Sequence, residues 1–132
     1  MLVDAHTHLD HYKSHEIYNV INEINKRKII SISNSMDIPS YIKNLDISKK
    51  SKFIIPTFGI HPWNAPEYSD RLEEMEDFID KTPMIGEIGL DFHWVEDRGQ
   101  YEDQRKILKF FLQKDKEQNK IVNLHTKGAE QE

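Results

Sequence analysis

The stretch "DAHTHLDHY", residues 4 to 12, packs His6, His8 and His11 beside Asp4 and Asp10. Side chains two apart on a β-strand leave the same face. A strand here would therefore set His6 and His8 one pleat apart, both within reach of a single cation. Neutral imidazole is a common ligand for divalent transition metals. Asp4, one pleat deeper on that face, is expected to hydrogen-bond a histidine ring and fix its tautomer. An isolated H-x-H is better explained by polar residues at a strand end. Three distant residues favour the metal: Glu87 in "IGEIGLD", His125 in "NLHTKGA" and His61 in "GIHPW", each at or just after the end of an apolar run.

A carboxylate such as Glu87 can bridge two cations. Two metals roughly 3.5 to 4 Å apart can hold both the attacking and the leaving oxygen of a phosphoryl displacement, and a bound ion lowers the pKa of water to about 7. Hydrolysis is the chemistry this set of residues suits.

The elements that must deliver these side chains read as alternating short apolar runs and longer amphipathic segments. "LVDAH", "IISIS", "FIIPTFGI", "MIGEIGL" and "IVNLH" are the strand candidates. Between them, Ile17, Val20, Ile21 and Ile24 recur at helical spacing after a Ser14 cap, and Ile38, Tyr41, Ile42 and Leu45 mark a weaker helix. Tyr68, Leu72, Met75 and Ile79 predict one acidic amphipathic helix stopped by Pro83, and Ile107, Leu108, Phe111 and Leu112 mark the longest helix, from Gln100 to Gln118. Each pair takes roughly 25 to 30 residues, the size of a βα unit. The order βαβαβαβαβ predicts one α/β domain over residues 1 to 132, built on a parallel sheet whose strands open their carboxyl ends on one side, where sites form.

The formal charge of −5 excludes a large phosphate-neutralising surface, so attraction to nucleic acid would have to come from a local site. There is no cysteine, hence no disulfide or thiolate ligand, and no apolar run approaching the roughly 20 residues of a membrane span. A cytoplasmic location without a membrane partner is the expectation.

The pieces "DAHTHLD", "GIHPW", "GEIGLDFHW", Gln104 within "YEDQRKILKFFL", and "HTKGAE" occur in this order along the whole chain. In them the sequence resembles the TatD-like metal-dependent hydrolases, (β/α)8 TIM-type barrels of the amidohydrolase group that include deoxyribonucleases. The resemblance implies a site for two divalent ions, zinc, manganese or magnesium. His6 and His8 would bind one, Glu87 would bridge both, and His125 would bind the second. Catalytic roles fall to Glu87, to His61 as a residue touching substrate phosphate, and to Asp91, which orders the site. Lys127 stands where many relatives have Arg and would meet phosphate as a point charge.

The implied function is hydrolysis of DNA phosphodiester bonds by metal-activated water. The alternatives are a metallohydrolase of phosphomonoester or amide bonds, and a non-catalytic barrel fragment. Such barrels run to about 250 residues, so the expectation is the first five βα units, with a further histidine and a late aspartate belonging to later strands. Self-association or a C-terminal half would then complete the barrel. Asp115, Gln118 and Asn123 stand where relatives carry apolar residues, and a buried unpaired amide costs roughly 1 to 3 kcal/mol. Either partners exist or the packing there is loose.

Other polar clusters are expected to be solvated. His11 and His15 read as residues of a loop and helix start, the run "EYSDRLEEMEDFIDK" as an exposed helix face, and "NKRK" at 25 to 28 as charge complementing a helix end. His93 is a loop residue. Trp63 and Trp94 read as loop packing, with base stacking as the alternative.

Overall fold

The computed structural model describes residues 2–132. Its elements run β1 (Leu2–Thr7), α1 (Ser14–Arg27), β2 (Ile29–Asn34), α2 (Ile38–Ser48), β3 (Ile54–Thr57), α3 (Ala65–Tyr68), α4 (Glu76–Lys81), β4 (Met84–Asp91), α5 (Tyr101–Gln118) and β5 (Ile121–Lys127). Every strand pair is parallel, as crossover helices require. α1 is capped one residue earlier than expected: the Lys13 backbone N–H donates to the Glu16 carboxylate at 3.0 Å. α2 begins at Asp37, whose carboxylate accepts from Ser40 N–H at 2.8 Å, with Pro39 in the first turn. No described helix is long and apolar enough to cross a membrane.

Two apolar clusters hold the layers together. Ile21 and Ile24 of α1 pack with Leu9, Ile47 and Ile54. The larger cluster centres on Phe58, fully buried, whose ring lies 5.1, 5.2 and 5.7 Å from those of Tyr41, Phe78 and Phe111. α5 presents Gln104, Ile107 and Phe111 inward. Leu112, expected on that face, turns outward and is 43% exposed.

The single five-stranded sheet expected from the pattern is divided. β1-β2-β3 form one sheet and β4-β5 another, joined by a bridge between Phe58 and Ile85. β3 is only four residues long, and its Pro56 has no N–H to donate. β4 instead reaches past it: Glu87 N–H donates to Ser35 O at 2.9 Å, and Ser35 N–H to Gly86 O at 3.3 Å. Gly59 permits this crossing, because a Cβ there would lie 2.6 Å from the Glu87 backbone nitrogen.

The acidic helix expected over Tyr68 to Ile79 is also broken, into α3, a 3-10 turn over Leu72–Met75, and α4. Arg71 N–H closes a tight turn onto Tyr68 O at 2.9 Å, and the Arg71 guanidinium holds Glu74. Tyr68, Met75 and Ile79 reach the core regardless, so their spacing marks burial and not one continuous helix.

Of the misplaced polar residues in this region, Asp115 has a partner: its carboxylate accepts from Lys120 N–H at 2.7 Å, closing the turn around left-handed Asn119. Lys120 Nζ in turn donates to the carbonyls of Asp80 and Thr82, at 3.1 and 2.7 Å, tying the start of β5 to the end of α4. Gln118 is half satisfied. Its Nε2 donates to Asp80, while Oε1 is buried without a partner. Gln118→Leu should therefore raise stability by about 1 kcal/mol, read as a higher urea midpoint; a lower midpoint would show that the amide is a net contributor.

Candidate metal centre

Glu87 lies in the middle of β4, 6% exposed, and its two carboxylate oxygens face different histidines. Oε2 is 3.3 Å from His6 Nε2 and 3.3 Å from His8 Nε2, and those nitrogens are 3.2 Å apart. Oε1 is 2.9 Å from His125 Nδ1 and 3.8 Å from His61 Nε2, which are 3.3 Å from each other. All six residues expected at the site thus come together, Asp91 included. His6 leaves β1 itself; His8 follows it, past a shift in the β1–β2 register. His125 is brought against β4 because Gly89 has no side chain: a Cβ there would collide with the His125 carbonyl.

Second partners on each ring decide which nitrogen carries the proton. His8 Nδ1 is 3.0 Å from Asn34 O, which can only accept, so Nδ1 is protonated and Nε2 turns to Glu87. His6 Nδ1 is 3.0 Å from Asn123 Oδ1. That amide's orientation is set by its own Nδ2, which donates to Ala5 O at 3.0 Å. His6 therefore also directs Nε2 inward. His61 is the opposite case: its Nδ1 accepts from Trp63 N–H at 3.2 Å, so the neutral ring carries its proton on Nε2, as a donor facing the site.

Asp91 is fully buried and does the ordering expected of it. Its Oδ2 lies 3.1 Å from His125 Nε2 and accepts from Trp63 Nε1–H at 2.8 Å; Oδ1 accepts from the backbone N–H groups of His93 and Trp94. Asp91 takes the Nε2 proton of His125, leaving Nδ1 turned to Glu87. Buried Gln104 holds the Asp91 backbone at both N–H and carbonyl.

Asp4 does not support a ring. Its carboxylate accepts from the His6 backbone N–H at 3.3 Å and is exposed, like most of β1. The support comes from residues whose importance the pattern did not signal. Asn123, flagged only as a misplaced amide, orients His6. Asn34 orients His8, and buried Asn44 backs it by donating to Asn34 O at 3.3 Å, Ser35 Oγ at 3.1 Å and Asp10 Oδ1 at 3.3 Å. His11 is exposed as expected but stacks on His8 at 4.9 Å, so His8, Asp10 and His11 make a third cluster of potential ligands. His15 is exposed, and Lys127 is exposed at the end of β5.

Charge follows geometry. Burial pushes the Glu87 pKa up, yet the hydrogen bond that a cationic His8 ring donates through its second N–H, with His61, His6 and His125 as nearby imidazolium partners, outweighs it and brings the value down to about 2. The same bond from Glu87 is the main cause raising the pKa of His8. Burial pushes His61 down to about 4. For Asp91, burial works upward, but N–H groups from Trp94, Trp63 and His93 win and lower it.

The first trio fits a divalent cation. Tetrahedral ligands at about 2.0 to 2.1 Å from zinc stand about 3.3 to 3.4 Å from one another, and the observed separations are 3.2, 3.3 and 3.3 Å. The second set is less even, and the Nε2 proton of His61 leaves Glu87 Oε1 and His125 Nδ1 as its acceptor atoms.

Because its folded pKa is lowered, His61 resists protonation between its ordinary value of 6.5 and about 4. The unfolded chain takes up that proton in the same window, so this residue weakens the fold as pH falls through it. A histidine Cε1–H NMR titration of the metal-free chain should show His61 titrating near 4 and His8 shifted the opposite way, upward from its ordinary value. A His61 transition at or above 6.5 would contradict this burial.

Comparison with known proteins follows the same motifs. The family model described as TatD related DNase matches residues 3–132. The chain is 28% identical over 133 residues to the metal-dependent hydrolase MJ1582 of Methanocaldococcus jannaschii, covering 97% of this chain and 51% of that protein. It is 26% identical over 144 residues to human deoxyribonuclease TATDN3, covering 97% and 53%. Among solved structures, the TatD homologue YJJV of Escherichia coli superposes with a TM-score of 0.81 at 23% identity, over 96% of this chain and 51% of that one. The TatD family hydrolase of Entamoeba histolytica does so with a TM-score of 0.74 at 21% identity. The chain spans about half the length of the relatives it matches, and its parallel α/β units take the fold of the corresponding half of those structures. On the match of the family model over nearly its whole length, the chain belongs to the TatD-related DNase family.

Proposed function

We propose that this chain serves metal-dependent hydrolysis of phosphodiester bonds in DNA and carries the wall of the site built around Glu87. The observation that supports this most is the division of one buried carboxylate between two groups of imidazoles, one oxygen to each. His6, His8 and Glu87 Oε2 would hold one divalent ion, and Glu87 Oε1 with His125 a second. Imidazole and carboxylate donors suit zinc or manganese better than magnesium. Bound there, such ions polarise a phosphoryl oxygen and make water a nucleophile at neutral pH.

The remaining residues act by position. His61, neutral near pH 7 with its proton on Nε2, donates a hydrogen bond to a phosphate oxygen without adding charge. Asp91 keeps His125 from rotating. Lys127 offers a point charge to the DNA backbone. With a net charge of −5, attraction to DNA has to come from a local site such as this one.

Two measurements test this. Isothermal titration with zinc or manganese should give two ions per chain, and fewer for Glu87→Gln. Incubation with single-stranded DNA, a phosphomonoester and an amide should show DNA turnover that a chelator abolishes. DNA turnover no greater than that of Glu87→Gln rejects the nuclease reading, and preferential turnover of either other substrate reassigns the bond.

Asn123→Leu should weaken metal binding roughly 10- to 100-fold, the usual effect of removing a residue that orients a ligand histidine. Asn123→Asp, which keeps an acceptor for His6 Nδ1–H, should recover most of that loss. Equal affinity in Asn123→Leu would show that His6 orients without help.

A further inference from the structure

Beside the histidine cluster, the loops after β3 and β4 form an open, shallow cavity of about 590 Å³ lined by Trp63, Trp94, Val95, Glu96, Asp97 and Gln100. Both tryptophans of the chain are here, 51% and 65% exposed. Each packs against a loop histidine in a T-shaped arrangement, Trp63 on His61 at 4.8 Å and Trp94 on His93 at 4.7 Å, as the sequence suggests, and leaves the rest of its indole surface open. Both are held by Asp91: Trp63 through its Nε1–H on Oδ2, Trp94 through its backbone N–H on Oδ1, each at 2.8 Å. The same Oδ2 is 3.1 Å from His125 Nε2. One carboxylate thus fixes the distance between the cavity and the candidate metal centre.

The lining says what would occupy it. Two indoles offer flat apolar faces for stacking. The charged groups in the lining are the carboxylates Glu96 and Asp97, with no lysine or arginine among them. A phosphate would be repelled. Asp97 Oδ1 accepts from Gly99 N–H at 2.9 Å, while Oδ2 has only the Gln100 amide at 3.4 Å and keeps capacity for another donor. The fitting ligand is a planar aromatic ring bearing amino hydrogens.

We propose that this cavity is a nucleobase subsite, selective for amino-bearing bases such as cytosine and adenine, that seats the nucleotide next to the scissile phosphate. It rests on the phosphodiesterase reading above and adds a base preference to it. A carboxylate accepts from the cytosine N4 amino group, whereas the carbonyl oxygens of thymine would face Glu96 and Asp97 unfavourably.

Trp63 and Trp94 are the only tryptophans, so two indole N–H resonances report here: that of Trp94 on the cavity, and that of Trp63 on the cavity and on its bond to Asp91. The metal-free full chain is titrated with deoxycytidine, deoxyadenosine, thymidine and base-free deoxyribose. Saturable shifts of both signals are expected with deoxycytidine and deoxyadenosine, weaker ones with thymidine, and none with deoxyribose. Trp94→Ala should weaken deoxycytidine binding roughly 5- to 100-fold, the range one stacked base contributes, and Trp94→Phe should restore most of it. The large exposure of Trp94 makes either variant compatible with folding. Absence of saturable shifts, equal response to thymidine, or unchanged affinity in Trp94→Ala overturns the proposal. Nucleosides contain no scissile bond, so nucleoside binding without DNA turnover would leave the subsite standing and reject the nuclease reading, while turnover without nucleoside binding would do the reverse.

Discussion

Glu87 sets the problem that the rest of this structure solves. A carboxylate taken almost entirely out of water loses its hydration, and unless it is compensated it takes up a proton instead. Here compensation comes from four imidazoles delivered by three separate parts of the chain: His6 and His8 at the end of β1, His61 after β3, and His125 on β5. None of those approaches is available to an ordinary strand. Gly59 lets the chain after β3 pass over the Glu87 backbone, and Gly89 lets β5 lie against β4.

Around this carboxylate the fold controls proton positions as closely as atom positions. Asn34 and Asn123 impose the same tautomer on His8 and His6, and Trp63 N–H imposes the other on His61. Two rings so oriented offer lone pairs to the interior and one offers a proton. That contrast separates ligand-like residues from a substrate-facing donor, although all are histidines within a few ångströms of Glu87. Backbone carbonyls and amides are suited to this task because they do not titrate, so each ring takes the same tautomer whenever it is neutral.

The motifs carried much of this, because strand-end histidines and a strand carboxylate are local in sequence and the strand period is strict. Five strands, the long α5 and the convergence of His6, His8, His61, Glu87 and His125 were readable that way, while Asp91 entered through the family resemblance. What was not readable depends on contacts across the fold. Asp4 shares parity with His6 and His8, yet its carboxylate is taken by the His6 backbone N–H and stays exposed. Asn123 looked like a liability, since nothing in a single sequence says that Ala5 O and His6 Nδ1 lie within reach of its amide. The break between the two sheets follows from a short β3 and from Ser35 bonding to β4, which strand patterning does not encode. Likewise the seven-residue interval from Tyr68 to Met75 fits a helix and a turn equally well.

The division into two sheets gives the histidine cluster a second meaning. His6 and His8 ride with the first sheet, Glu87 and His125 with the second, and direct pairing between β3 and β4 is confined to the bridge at Phe58. An ion shared by His6, His8 and Glu87 would therefore act as a clasp between two structural halves, its affinity convertible into conformational stability through mass action. Metal concentration would then add to the backbone bonds and shared core that already join the two sheets.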